Sequence, residues 1–235
     1  MMLSVVVPML NEAAALPELL AHLQALQADG CEVLLVDGGS HDGSAAMARA
    51  AGFTVVDADR GRARQMNAGA RQAGGEVILF LHADTRLPDQ AAQQVAQALG
   101  VPPGARAAPP RSGAPMWGRF DVRISGRSPW LSVVARMMNL RSRLSGIATG
   151  DQAIFVRRSA FEACGGFPDQ PLMEDIELSR RLKRLSRPAC LRARVTTSGR
   201  RWESRGVWRT IMLMWRLRLA YWLGASPESI AKAYR

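Results

Sequence analysis

The stretch Val36–Gly43 reads Val-Asp-Gly-Gly-Ser-His-Asp-Gly, and it decides the predicted fold. It follows the apolar run Glu32–Val36, which is typical of a buried strand, and it precedes a helical segment at Ser44–Ala51. Its glycines let the backbone approach a ligand closely, and Ser40 or Asp42 can cap the next helix. The stretch predicts a strand–turn–helix unit that either binds a ligand or is an ordinary connecting turn.

Outward from this unit, apolar runs alternate with amphipathic segments over the first hundred residues. The predicted strands are Leu3–Val7 (ended by Pro8), Glu32–Val36, Thr54–Val56 and Val77–Leu81, and the predicted helices are Ala13–Ala28, Ser44–Ala51, Ala63–Ala73 and Pro88–Leu99. Such alternation is characteristic of a parallel sheet with helices on both faces. We therefore predict an α/β fold with a doubly wound, mostly parallel sheet.

The second half of the chain continues this pattern less regularly. Its predicted strands are Arg119–Ile124 (with one exposed face), Ala153–Val156 and Ala189–Val195, and its predicted helices are Trp130–Leu144, Glu174–Leu185, Arg205–Leu223 and a last one opened by Pro227. Before it, Gly100–Pro115 holds five prolines among small residues and arginine. We expect residues 100–117 to form a flexible loop, either a lid or a passive linker.

Charge is divided unevenly between the two halves. The chain has 8 basic and 11 acidic residues through Trp117, a net of −3, and 23 basic and 9 acidic residues after it, a net of +14. A basic half attracts phosphates, nucleic acid or an anionic membrane. No recognised nucleic-acid-binding motif accompanies the charge, so we expect no nucleic-acid partner.

The sequence also bears on compartment and membrane contact. Three widely spaced cysteines give no disulfide framework, which favours a reducing cytoplasm. No run approaches the roughly 20 apolar residues of a spanning helix, so membrane contact would be peripheral, on the cytoplasmic face. Trp208, Trp215 and Trp222 recur every seven residues among arginines, as in an interfacial helix on an anionic membrane or in a helix packed on the domain.

Polar residues after the predicted strands form the candidate site, because ligands bind at the carboxyl ends of strands in a doubly wound sheet. They are Pro8, Asn11 and Glu12 after the first strand, Asp37, Gly39 and Ser40 after the second, and His82, Ala83 and Asp84 after the fourth. Asp37 can accept hydrogen bonds from a base or a ribose. Asp84 beside a diphosphate would be a hard oxygen ligand for Mg²⁺ or Mn²⁺. His82 would be a second ligand, a hydrogen-bond donor or a structural histidine.

Two further polar clusters lie in the second half. Glu174 and Asp175 open a predicted helix, either as complements to the helix dipole or as a source of a general base. Their side chains point about 100° apart on a helix, so we expect only one to face a given acceptor. Gly150, Asp151 and Gln152 form a polar turn before a predicted strand.

In this order, the motifs resemble the family-2 glycosyltransferases of the GT-A fold. The segments that carry the resemblance are Val5–Glu12, Val36–Gly43, Leu81–Thr85 and Met173–Asp175, within a region from about Leu3 to Leu185. More narrowly, Gly61–Asn67 and Leu81–Thr85 resemble a bacterial subgroup labelled as radical-SAM- or selenodomain-associated transferases. This resemblance adds Arg62, Gln65 and Asn67 to the candidate nucleotide-binding residues.

The resemblance implies an inverting transfer of a sugar from a nucleotide diphosphate, with UDP expected, to an acceptor hydroxyl. Asp37 and the first turn would hold the nucleoside, and Asp84 with a divalent cation, Mn²⁺ or Mg²⁺, would hold the diphosphate. Asp175 would take the proton of the acceptor hydroxyl, with Glu174 in support, and Gly150–Gln152 would contact the acceptor. Residues 1–99 would then be the nucleotide-binding half of one continuous domain, and residues 118–235 its acceptor and catalytic half.

The chain departs from the family at the metal motif, where His82 replaces the first aspartate. Metal affinity would then be weaker, and Arg200 and Arg201 would share the phosphate load. Two other activities fit the same fold: a polyprenyl-phosphate sugar synthase at the membrane surface, and a nucleotidyltransferase, although Pro8–Glu12 lacks the glycine- and basic-rich loop usual in the latter. The sequence argues against a Rossmann dehydrogenase and a Walker-type NTPase, because neither glycine-rich motif is present.

Overall fold

A computed structural model of the chain describes residues 2–101 and 113–234. Most of the predicted loop at residues 100–117 lies outside these residues. The strands are β1 (Leu3–Met9), β2 (Glu32–Asp37), β3 (Thr54–Asp57), β4 (Val77–Phe80), β5 (Thr85–Arg86), β6 (Trp117–Ser125), β7 (Phe155–Arg157) and β8 (Ala189–Ser198). The helices are α1 (Leu16–Ala28), α2 (Ser44–Ala50), α3 (Arg62–Gln72), α4 (Ala91–Leu99), α5 (Trp130–Ser145), α6 (Arg158–Ala163), α7 (Glu174–Lys183), α8 (Arg200–Arg205), α9 (Val207–Trp222) and α10 (Pro227–Tyr234).

The strands form one sheet in the order β3-β2-β1-β4-β7-β6-β8-β5. Strands β1 to β4 are parallel, and β6 pairs parallel with β8, while β7 runs antiparallel to both β4 and β6 and β5 runs antiparallel to β8. The prediction of a doubly wound, mostly parallel α/β sheet is confirmed. Antiparallel β7 joins the two parallel groups, and the short strand β5 was not predicted.

The sheet separates two hydrophobic cores, because successive side chains of a strand point to opposite faces. Val5 and Val7 of β1 face one core, which includes the buried leucines of α1 and Leu131 of α5. Val6 faces the other core, which includes Met66 of α3 and residues of α6 and α7. Helices therefore cover both faces of the sheet, as the strand–helix alternation predicts.

The main differences from the predicted strands are in β1, β6 and β8, while the ends of the other predicted strands shift by one or two residues. β1 continues through Pro8 to Met9, because its pairing with β4 ends at Val6 and the missing N–H of Pro8 breaks no bond on that side. β6 begins two residues earlier than predicted, at Trp117, and its first four residues are buried, including Arg119 in an ion pair with Asp121. From Phe120 onward, buried residues alternate with more exposed ones, as predicted. β8 runs three residues beyond the predicted end, to Ser198.

The helices also differ from the predictions: α1 and α4 each begin three residues later than predicted, and α6 was not predicted. The helix predicted at Arg205–Leu223 is α9, which begins two residues later, at Val207, because Gly206 has a φ of 84° and ends the preceding helix α8; α8 itself was not predicted. Gly43, not Ser40 or Asp42, is the N-cap of α2, although Asp42 still accepts a hydrogen bond from the N–H of Ser44 at 3.0 Å.

Candidate active site

A cleft of about 370 Å³ lies at the carboxyl ends of the central strands. It gathers candidate residues from six separate segments of the sequence. The predicted site residues that line it are Pro8, Glu12, Arg62, His82, Ala83, Asp84, Gly150, Asp151, Glu174, Asp175, Arg200 and Arg201. The predicted residues outside this lining are Asn11, Asp37, Gly39, Ser40, Gln65, Asn67 and Gln152. The fold therefore brings the diphosphate and base candidates together in one cleft, while Asp37 and its glycine turn lie outside the lining.

The carboxylate of Asp37 is folded into its own turn. Its Oδ2 accepts hydrogen bonds from the N–H groups of Gly39 (3.1 Å) and Ser40 (2.9 Å), and its Oδ1 accepts one from the Ser40 hydroxyl. The residue is only 5% exposed. Asp37 thus fixes the backbone of the glycine turn, as a connecting turn with an internal aspartate would require.

The turn after β1 is held against this glycine turn by reciprocal hydrogen bonds. The N–H of Asn11 donates to the Ser40 hydroxyl, and the N–H of His41 donates to Oδ1 of Asn11, both at 2.9 Å. The N–H of Glu12 donates to the Ser44 hydroxyl at 2.9 Å. Because its backbone is held in this way, the side chain of Glu12 is directed to the cleft.

Gln65 and Asn67 lie outside the cleft lining and bind backbone groups of other elements. The side-chain amide of Gln65 donates to the carbonyl oxygens of Met9 and Val36, both at 2.8 Å, and so joins the ends of β1 and β2. Asn67 exchanges two hydrogen bonds with the backbone of Phe167, at 2.8 and 3.0 Å. Since these side chains bind backbone groups, they position the site's elements.

His82 and Asp151 connect the turn after β4 to the turn before β7. Nδ1 of His82 lies 3.3 Å from Oδ1 of Asp151. Burial alone would raise the pKa of Asp151, but the hydrogen bond with His82 and the electrostatic interactions with His82, Arg62 and Arg201 lower it overall. A Cβ at Gly150 would lie 2.3 Å from the imidazole ring, so only a glycine allows His82 to pack on this turn.

Asp84 is exposed in the cleft on an anchored backbone. Its carbonyl oxygen accepts a hydrogen bond from the N–H of Ser198 at 3.1 Å, and its side chain lies 3.3 Å from the hydroxyl of Thr85. Burial and the charge of Asp84 raise the pKa of Glu12, against the opposing charges of Arg200 and Arg62. The carboxylates of Glu12 and Asp84 therefore lie close enough to Arg62 and Arg200 for electrostatic interaction at this end of the cleft.

The same end of the cleft fits a divalent cation that arrives with phosphates. No group of three or more His, Cys, Asp or Glu side chains in residues 2–101 and 113–234 could hold a metal by itself. Mg²⁺ is usually held by one or two carboxylates together with substrate phosphates. Asp84, with Glu12 close enough for its pKa to be affected, supplies such a partial set of ligands.

Glu174 and Asp175 begin α7 directly after Met173, whose φ is 65°. Oδ2 of Asp175 accepts a hydrogen bond from the N–H of Gly150 at 2.8 Å, and Oδ1 accepts one from the N–H of Ile176 at 2.7 Å. Burial raises the pKa of both carboxyls, and the charge of Asp175 raises that of Glu174 further. Both residues line the cleft. Glu174 therefore remains a candidate site residue, although successive side chains of a helix point about 100° apart.

The C-terminal helices supply cleft residues that the sequence analysis missed. Thr210, Met214 and Arg218 of α9 line the cleft, and their four-residue spacing was a signal that they share a helix face. Tyr234 of α10 also lines it, accepts a hydrogen bond from Arg201, and has the Arg201 guanidinium 5.1 Å from its ring centroid. The other unpredicted lining residues are Thr149, Leu172, Met173, Ile176, Thr197, Ser198 and Trp202.

The comparisons with known proteins identify the fold as that of a glycosyltransferase. The chain belongs to glycosyl transferase family 2, whose family model matches residues 4–165. It is 30% identical over 181 residues to the undecaprenyl-phosphate 4-deoxy-4-formamido-L-arabinose transferase of Pseudomonas aeruginosa, covering 69% of this chain and 49% of that protein. The transferase of the same name from Aeromonas hydrophila is 32% identical over 108 residues, 41% of this chain and 33% of its own length. The chain thus spans half or less of these curated relatives.

Solved glycosyltransferase structures share the fold. TarS of S. aureus in complex with UDP aligns with a TM-score of 0.63 at 18% identity, covering 84% of this chain and 60% of the other. The Pyrobaculum calidifontis mannosyltransferase in complex with GDP-Man and Mn²⁺ aligns with a TM-score of 0.62 at 21% identity, over 93% of this chain and 60% of the other. These structures confirm the predicted GT-A fold.

Proposed function

We propose that this protein is an inverting, metal-assisted glycosyltransferase that moves a sugar from a nucleotide diphosphate, with UDP expected, to an acceptor hydroxyl. The observation that carries the proposal is the meeting of two acidic sites in one cleft. Asp84 and Glu12 lie at one end, and Glu174 and Asp175 begin the helix at another part of the lining. Residues 1–99 would supply the nucleotide side, and residues 118–235 the acceptor side.

On the donor side, the chain's carboxylates and arginines would bind the diphosphate. A divalent cation held by Asp84, with Glu12 nearby, supplies positive charge to the leaving diphosphate when it is bound. Arg62, Arg200 and Arg201 also line the cleft, and guanidinium groups form strong, charge-assisted hydrogen bonds with phosphate oxygens. The arginines would therefore offset the loss of the aspartate that His82 replaces.

On the acceptor side, Asp175 would act as the general base. Two backbone N–H groups fix its carboxylate, and burial raises its pKa toward the range in which a base accepts protons efficiently. The acceptor hydroxyl gives its proton to Asp175 as its oxygen attacks the anomeric carbon. The bond from that carbon to the diphosphate oxygen breaks on the opposite face, so the anomeric configuration inverts. Gly150, whose N–H holds Asp175, belongs to the turn expected to contact the acceptor.

A polyprenyl phosphate is the second candidate acceptor. The curated relatives named above are undecaprenyl-phosphate transferases, and Arg218 adds a fourth arginine to the cleft lining. A phosphate oxygen is already ionised at neutral pH, so its attack needs no general base. Replacement of Asp175 by asparagine therefore separates the two candidates, because only a hydroxyl acceptor depends on that carboxylate. The narrower subgroup resemblance of Gly61–Asn67 stays a prediction and implies no substrate.

A nucleotide-release assay tests the proposed activity. The full chain is incubated with a panel of UDP-, GDP- and dTDP-sugars, with and without Mn²⁺, and release of the nucleotide is followed. The proposal predicts release that depends on the sugar nucleotide and increases with Mn²⁺. Binding of no nucleotide sugar and release from none of them, with or without metal, would contradict it.

We expect Asp37→Ala to weaken UDP binding by about 10- to 100-fold without unfolding the protein. The carboxylate holds the N–H groups of Gly39 and Ser40 in the glycine turn, and hydrogen bonds to charged groups are worth about 1.5–3 kcal/mol each. Calorimetry with UDP measures the change, and thermal melting confirms folding.

The matched control for this variant is Asp42→Ala. Asp42 belongs to the same turn but holds the N–H groups of Ala13 and Ser44. The Asp42→Ala variant should weaken UDP binding less than Asp37→Ala does. If Asp37→Ala binds UDP as tightly as the parent, the nucleoside lies elsewhere, and equal losses in both variants would mean that Asp37 has no special part in binding.

A further inference from the structure

Helices α5 and α9 each expose a stripe of large apolar side chains. On α5 the stripe consists of Trp130, Val133, Met137, Leu140 and Leu144, and on α9 it consists of Trp208, Met212, Trp215, Leu219 and Trp222. These side chains are between 40% and 80% exposed. Steps of three and four residues place each set on one face of its helix. We call the two stripes together the α5–α9 surface.

The two stripes meet, and neither helix needs its stripe for packing. The rings of Trp130 and Trp208 lie with their centroids 4.7 Å apart, which joins the stripes at the beginnings of the two helices. A different face of α5 is buried in the core through Leu131 and Val134. Leu217, on the side of α9 away from the tryptophans, is 4% exposed. The helices are therefore already docked on the domain, and the stripes remain on its surface.

The charge of these helices indicates what the surface contacts. Together α5 and α9 contain six arginines and no acidic residue. At about 100° per residue, Arg209 and Arg216 lie along one side of the α9 stripe, and Arg136 lies beside the α5 stripe. Aromatic and aliphatic side chains bordered by arginines are the pattern of a helix that lies in the interface of an anionic membrane.

A second copy of the chain fits this surface less well. A two-fold symmetric contact places the same patch of both copies together, so the arginines of one copy would face those of the other. No helix within the described ranges 2–101 and 113–234 is long and apolar enough to cross a membrane. Contact along the bilayer surface needs no such helix.

We infer that the α5–α9 surface docks the protein on an anionic lipid bilayer, with α9 lying in the plane of the interface. Another face of α9, carrying Thr210, Met214 and Arg218, lines the cleft. Helix α9 then contacts the bilayer with one face and lines the cleft with another. The inference depends on the helices alone and holds whatever sugar donor the cleft accepts.

Vesicle co-sedimentation without any nucleotide tests the inference. The full chain is mixed with vesicles of phosphatidylcholine alone or with added phosphatidylglycerol. We expect binding to the anionic vesicles that falls as salt is raised, together with a blue shift of tryptophan fluorescence. Trp215→Ser with Trp222→Ser should abolish most of the binding. Arg209→Gln with Arg216→Gln should weaken partitioning by about 30-fold, since each arginine near an anionic surface contributes about fivefold.

The control variant is Leu185→Ser, which removes a leucine that is 48% exposed after α7, outside the surface. It should bind vesicles like the parent, and each variant's melting temperature shows whether it is folded. Equal sedimentation with neutral and anionic vesicles, or unchanged binding in folded variants of the tryptophans, overturns the inference. Association of the parent in analytical ultracentrifugation that Trp215→Ser abolishes, without vesicle binding, would assign the surface to a second copy instead. Because no donor is present, these outcomes are independent of the nucleotide-release assay.

Discussion

Asp175→Asn is expected to lower turnover by about 10²–10⁴-fold, the usual contribution of a general base, while UDP affinity stays close to that of the parent. Asparagine keeps the size of the side chain but cannot accept a proton at neutral pH. Asp175 accepts one hydrogen bond from the N–H of Gly150 and one from the N–H of Ile176. In asparagine an NH₂ group replaces one carboxylate oxygen, so one of these two hydrogen bonds is lost. Steady-state kinetics and UDP calorimetry on the same preparation separate the loss of chemistry from a loss of binding.

The matched control is Glu174→Gln, which alters the neighbouring buried carboxyl and should cost less. The pH profile gives a second test, because a base works only when it is deprotonated. Burial raises the pKa of Asp175, so activity should fall with decreasing pH through a midpoint above the ordinary aspartate range, and that limb should be absent from Asp175→Asn. The reverse ranking of the two variants would move the base to Glu174. Full activity in both would favour an acceptor that is already ionised.

Asp84→Ala is expected to remove the gain in UDP affinity that Mn²⁺ or Mg²⁺ gives the parent, and to lower turnover by about 10²-fold or more, since a catalytic cation supplies several kcal/mol. The carboxylate of Asp84 is exposed in the cleft on a backbone anchored to Ser198. Its removal should therefore change the ligand set and leave the fold intact. Calorimetric titrations of UDP with and without Mn²⁺ measure the effect.

Asp89→Ala is the control for this variant, because Asp89 is an exposed acid in the loop between β5 and α4 and does not line the cleft. It should keep the full gain from the metal. If the parent binds UDP equally well with and without Mn²⁺, the diphosphate is held by the arginines alone and the metal assignment is wrong.

The sheet could be predicted because its buried strands have a strong local signal. Runs such as Val77–Phe80 are entirely apolar and alternate with amphipathic helices, and that alternation fixes a parallel arrangement. β5 has only two residues, too few for a pattern to form, whereas β7 overlaps the strand predicted at Ala153–Val156. The antiparallel direction of β7 depends on its pairing with β4 and β6, which the order of residues along the chain does not encode locally.

The candidate site could be predicted where it follows strand ends, as for Glu12 and Asp84, because those ends converge at one edge of the sheet. Asp37 and Gln65 have the residue types of ligand-binding groups, yet their side chains bind backbone groups. The polarity of a residue in the sequence does not show whether its side chain binds a ligand or a backbone group. Arg218 was missed because its place in the cleft depends on how α9 docks on the domain, which is a tertiary contact.

A crystal structure from crystals soaked with UDP and Mn²⁺ tests most directly whether the cleft is a metal-assisted glycosyltransferase site. Anomalous scattering locates the cation in such crystals. The account predicts the diphosphate in the cleft, the cation coordinated by a carboxylate oxygen of Asp84, and Asp175 facing the side on which the acceptor would enter. UDP bound away from the cleft, or a cation that Asp84 does not coordinate, would contradict it.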